Sequence, residues 1–123
     1  MTGKHLRIRE FDGCVVVTLR GELDLVDAAH VAAELIAVAD REPRVVVDLT
    51  DLEFIDCRGV AALVSGRAKA RQAGGDLLIA APQRQVMKLL TRTAPAYDFS
   101  VYADVEEAVS AARAHNTALH PIP

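Results

Sequence analysis

The sequence predicts a single α/β domain: a four- to five-stranded mixed sheet, opened by an N-terminal hairpin and continued by parallel strands, with about four helices. Three observations carry this. Two strand-like segments flank Asp12 and Gly13, a pair that favours a tight turn. Two later runs, RVVVDL and DLLIAA, are short and almost wholly apolar, as strands buried on both faces are. Between and after them lie segments whose apolar residues recur at helical spacing. Strands that alternate with helices must pair in parallel through right-handed crossovers.

Taken in order, HLRIREF (5–11) alternates apolar and polar residues, the period of a half-buried strand. CVVVTLRG (14–21) follows the turn as the second strand. Asp24 then stands where a helix N-cap belongs. Leu25, Ala28, Ala29, Ala32, Leu35, Ile36 and Ala39 form the apolar stripe expected of the first helix. Pro43 interrupts the chain before RVVVDL, and a loop is read over 50–59. The second helix begins after Asp56, with Val60, Leu63 and Val64 inward and Arg67, Lys69, Arg71 and Gln72 outward. Gly74 and Gly75 stop it. DLLIAA is the third apolar strand, and Pro82 opens a helix with Val86, Leu89 and Leu90 on one side. FSVYA suits a short edge strand. Asp104 caps a last helix with the stripe Val105, Ala108, Val109 and Ala112. The domain is placed at 1–115, and the patternless residues 116–123 read as a disordered tail.

The 123 residues suffice for one layered core, and with 51% hydrophobic but 4% aromatic residues that core is aliphatic. A net charge of -3 argues against a nucleic-acid partner, which needs a basic face. Cys14 and Cys57 form no disulfide framework, and roughly 20 Å of strand separates their expected positions. No apolar run approaches the 18 or so residues of a membrane span, and the first residues lack a signal-peptide pattern. The expectation is a cytoplasmic protein with no membrane insertion.

Sites in open α/β sheets gather beyond the carboxyl ends of the parallel strands. GELDL (21–25) and TDLEFIDCRG (50–59) both arrive there. Asp24, Asp56, Cys57 and Arg58 are therefore expected at one end of the molecule, beside a helix start that favours anions. No His, Cys or acidic spacing suggests a metal site, and neither a Walker A nor a dinucleotide-binding glycine pattern is present, so no cofactor is expected.

RGELDL, VVVDLTDLEFIDCRGVAALV and AGGDLLIAAPQRQVMKLLTRT together resemble the STAS domain of bacterial anti-sigma factor antagonists, over roughly residues 5–112. The resemblance implies a non-catalytic, partner-switching module that binds an anti-sigma factor of the serine-kinase, GHKL ATPase type and so frees a sigma factor. In that family the kinase phosphorylates a Ser directly after the motif Asp, which abolishes binding. Here Asp56 matches the motif Asp, Asp24 the acid of the GELD-like turn, and Gly59 the motif Gly. Cys57 stands in place of the phosphorylated Ser, and Arg58 where a second hydroxyl is common. The implied partner surface comprises Leu23, Asp24, Leu25, Asp56, Cys57, Arg58 and Gly59, with the exposed side of the second helix.

Alternatives stay open at this point. A STAS subunit of an ABC transporter complex would keep the fold without phosphorylation. Cys57 reads either as a near-isosteric substitute for Ser or as a thiol sensor, whose oxidation would add charge where phosphate normally goes. A thiol enzyme would need a basic partner that neither loop supplies. Arg58 reads as a solvated charge, a partner contact or a steric block against the usual kinase. Self-association as a homodimer is also left open.

Overall fold

The computed structural model describes residues 5–11, 13–93 and 98–119. Five strands run in the order β1 (Leu6–Phe11), β2 (Cys14–Glu22), β3 (Arg44–Phe54), β4 (Asp76–Ala80) and β5 (Val101–Tyr102) across one sheet. β1 is antiparallel to β2, and all other neighbours are parallel. The helices are α1 (Leu25–Arg41), α2 (Cys57–Gln72), α3 (Arg84–Thr93) and α4 (Val105–Leu119). The hairpin, the parallel strands and the four helices follow the sequence-based expectation.

Alternation along the strands divides the core between two faces. Val15, Val17, Leu19, Val45, Val47, Leu49, Leu77 and Ile79 pack with residues of α1, α2 and α3. Cys14, Val16, Val46, Leu78 and Ala80 pack with Ala108 and Ala112 of α4. Both faces are covered, which is why β2, β3 and β4 read as continuous apolar runs. β1 lies at the sheet edge and carries Arg7, Arg9 and Glu10, charges that discourage further strand pairing.

Four expectations are corrected. On α1 the buried set is Ala28, Val31, Leu35, Val38 and Ala39, while Leu25, Ala29 and Ile36 are exposed. The helix has apolar residues on both flanks of the 28/35/39 line, and α2 decides which flank is covered. Gly66 is the contact: an added Cβ there would lie 2.9 Å from Leu35 Cβ. Arg67, read as outward, is only 8% exposed. Its guanidinium stacks on the Phe99 ring at 5.0 Å, donates to Asp98 O at 3.2 Å, and lies 3.7 Å from Asp76 Oδ1. Pairing and stacking make such burial tolerable. Residues 50–54 belong to β3 rather than to a loop, because β2 continues beside them to the Glu22–Phe54 pair. Lastly, α4 reaches Leu119, further than its apolar pattern, and 120–123 lie outside the described residues.

Candidate functional site

β2 and β3 end side by side, with Glu22 opposite Phe54 and Leu23 N donating to Phe54 O at 3.4 Å. Each strand then enters its helix in the same way. One apolar residue is buried, Leu23 after β2 and Ile55 after β3. An aspartate follows and caps the helix. The local pattern Leu-Asp and Ile-Asp therefore places two carboxylates on one end of the molecule, as the sequence predicts.

Asp24 accepts a hydrogen bond from Asp27 N at 2.9 Å, and Asp27 Oδ2 accepts from Asp24 N at 3.4 Å, a capping box closed by aspartate. His5 joins the cluster, with Nε2 3.2 Å from Asp27 Oδ2 and Nδ1 3.1 Å from Arg20 O. The Asp27 amide is the main cause that holds the Asp24 carboxyl below the usual carboxylate range. Since ionised Asp24 makes this cap, its contribution is complete above the ordinary aspartate range. It is lost as pH falls through the depressed folded value. In an acid titration the Asp27 amide resonance is expected to move with a midpoint below that of an unperturbed aspartate. A midpoint at the ordinary value would mean the cap is not formed in solution.

Asp56 accepts from Arg58 N at 2.9 Å and Gly59 N at 3.3 Å, and Arg58 Nη1 donates to its second oxygen at 3.2 Å. Arg58 is thus a surface ion pair with its own cap, and such pairs contribute between nothing and about 1 kcal/mol. Both aspartates are engaged by their own helices, an arrangement suited to holding the surface rather than to acid–base chemistry. Asp56→Ala should cost about 1 kcal/mol of stability, read as a shift of the urea midpoint.

Of the seven residues expected at the surface, Leu23 and Gly59 are buried and present no side chain outward. Leu23 is 2% exposed. At Gly59 an added Cβ would sit 2.3 Å from Ile55 Cγ1, so glycine lets the first turn of α2 settle on Ile55. Asp24, Leu25, Cys57 and Arg58 are exposed, and Asp56 is partly so. Cys57 is a free thiol at the first position of α2, whereas Cys14 is buried at the start of β2, where desolvation pushes its thiol up.

Sequence reasoning missed two exposed apolar residues, one at the start of α1 and one at the end of β3. Val26 is 75% exposed and Phe54 is 51% exposed, alongside Leu25 at 58%. The available signal was the LDLV run, longer than the core needs, and an aromatic residue at the very end of a strand. Phe54, Leu25, Asp24, Asp56 and Arg58 line one open hollow with His5, Glu22 and Asp27. The described residues contain no group of three or more His, Cys, Asp or Glu side chains placed to hold a metal, and no helix among them is long and apolar enough to cross a membrane.

Comparison with known proteins places this geometry in context. The STAS domain model matches residues 5–108. The anti-sigma-F factor antagonist RsfA of Mycobacterium tuberculosis is 29% identical over 108 residues, 85% of this chain and 84% of that protein. BtrV of Bordetella bronchiseptica is 32% identical over 75 residues; the match spans 60% of this chain and 65% of BtrV, just under two thirds of that relative. The crystal structure of an anti-sigma factor antagonist from Mycobacterium paratuberculosis superposes with a TM-score of 0.74 at 27% identity, covering 88% of this chain and 92% of that one. With the matched residues spanning every strand and the twin capped helix starts, the chain belongs to the STAS domain family.

Proposed function

We propose that this chain is an anti-sigma factor antagonist: a cytoplasmic, non-catalytic module that sequesters an anti-sigma factor of the serine-kinase, GHKL ATPase type and so releases a sigma factor. The names of relatives that match 85% of the chain support this reading. The observation that carries it is the exposed side chain of residue 57 at the first position of α2, between Asp56 and Arg58, which line one hollow with the exposed apolar residues Leu25 and Phe54. Apolar contacts of this kind supply affinity, and a charge introduced among them opposes binding.

Position 57 carries a thiol, so a Ser/Thr kinase has no hydroxyl there to phosphorylate. The antagonist would bind its kinase without the usual off-switch. Nucleotide would belong to the partner, not to this chain.

The test is a pull-down and titration against the anti-sigma kinases of the source organism, with ATP present. Wild type should bind one kinase and gain no phosphate, while Cys57→Ser should bind it, become phosphorylated and then be released. Failure of every kinase to bind either form would sink the assignment.

A further inference from the structure

Three cations lie on one side of α3. Arg84, Lys88 and Arg92 follow at four-residue spacing, form a stripe about 12 Å long, and are all exposed. Among the described residues none of the three has an ion pair, although the chain as a whole carries -3. Like charges at this spacing disfavour the helix that carries them. The helix dipole favours Arg92 in the last turn, but no acid on α3 offsets Arg84 and Lys88.

The helix is also held in a defined place beside the site. β4 ends opposite Asp48, and beyond that point Gln83 Nε2 donates to Thr50 O at 2.9 Å and Gln85 Nε2 to Glu53 O at 2.8 Å. These two bonds fasten the start of α3 to the last residues of β3. Lys88 and Arg92 then share a hollow with Phe54, and Phe54 also borders the hollow of Asp24 and Asp56. The exposed Met87 lies beside the cations.

We infer that α3 is a second limb of the binding surface, on which Arg84, Lys88 and Arg92 dock an acidic segment of the protein partner. The inference rests on the function proposed above. Charge complementarity selects the occupant. A membrane or a nucleic acid presents a broad anionic surface, which Glu22, Asp24 and Asp27 on the other side of Phe54 would repel. A narrow acidic segment meets only the stripe, while the exposed Phe54 and Leu25 meet the body of the partner.

The test uses the full chain and the anti-sigma kinase it captures, titrated at low and high salt. R84E/K88E/R92E is expected to weaken binding at least tenfold at low salt, and to lose most of the salt dependence that wild type shows. R84Q/K88Q/R92Q should fall between them. Arg41→Glu, at the far end of α1, reverses a charge away from α3 and should bind as wild type does. Unchanged thermal midpoints show that the variants are folded. Binding by R84E/K88E/R92E within twofold of wild type, with the same salt slope, overturns the α3 inference and leaves the function standing. If wild type captures no kinase, the function falls instead. Resonance shifts on adding a glutamate-rich peptide then decide the stripe: shifts confined to α3 support it, and none overturns it.

Discussion

Cys57→Asp should abolish capture of the partner at concentrations that saturate wild type, a loss of at least about a hundredfold, while leaving the fold intact. The two effects separate because the carboxylate meets different surroundings in the free and bound protein. In the free protein, residue 57 is exposed at the first position of α2. An acid there sits at the positive end of the helix dipole, which is worth about 0.3–1 kcal/mol. In the complex it would be enclosed by the partner beside the cap side chain of Asp56, at the edge of the hollow that Leu25 and Phe54 line. Desolvation and repulsion then act together. Calorimetric titration with the kinase, paired with a thermal melt, checks both halves. Cys57→Ser, nearly the same size and uncharged, should bind within about threefold of wild type. Equal binding by Cys57→Asp and wild type would show that residue 57 lies outside the interface.

Gly75→Ala should be the most damaging single-methyl change in the structure, costing about 3 kcal/mol or more, with the melting temperature lowered by about 10 °C. An added Cβ would lie 2.2 Å from Pro43 O and 2.5 Å from Pro43 C. Neither partner can retreat. Pro43 O accepts from Asp76 N at 3.0 Å, and Gly75 N donates to Ala70 O at 2.8 Å. The start of β4, the end of α2 and the turn before β3 are thereby locked at one point. Gly74→Ala supplies the contrast. Space is open there, but φ is +97°, so only the left-handed backbone penalty of about 1 kcal/mol applies. Equal losses at the two positions would show that close approach is not the reason for Gly75.

Features set by neighbours in the chain were legible in advance. The hairpin at Gly13, the caps Asp24, Asp56 and Asp104, and the helix stop at Gly74 all depend on residues within four or five positions. The same holds for the joint placement of Asp24 and Asp56, since two parallel strands that each run into a capped helix must bring both caps to one end. What failed was inference about which side of an element is covered. Leu25 and Ile36 are apolar enough for a core, yet they are exposed because α2 approaches α1 through Gly66 on another line. Arg67 is charged enough for a surface, yet it is buried because Asp76 and Phe99 come to it from distant parts of the chain.

By itself, then, the sequence determined the order of strands and helices along the chain, most of their boundaries, and the motif that carries the family resemblance, with Cys57 directly after its Asp. These reside in local backbone preferences and short-range hydrogen bonds, which pattern and spacing encode. Only the tertiary structure decided that Leu23 and Gly59 are buried beside the two capped helix starts, and that Val26 and Phe54 are exposed. It alone set the start of α3, through Gln83 and Gln85, against the last residues of β3. Exposure is a property of what packs opposite a residue, and packing partners 30 or so positions away leave no mark in the local pattern.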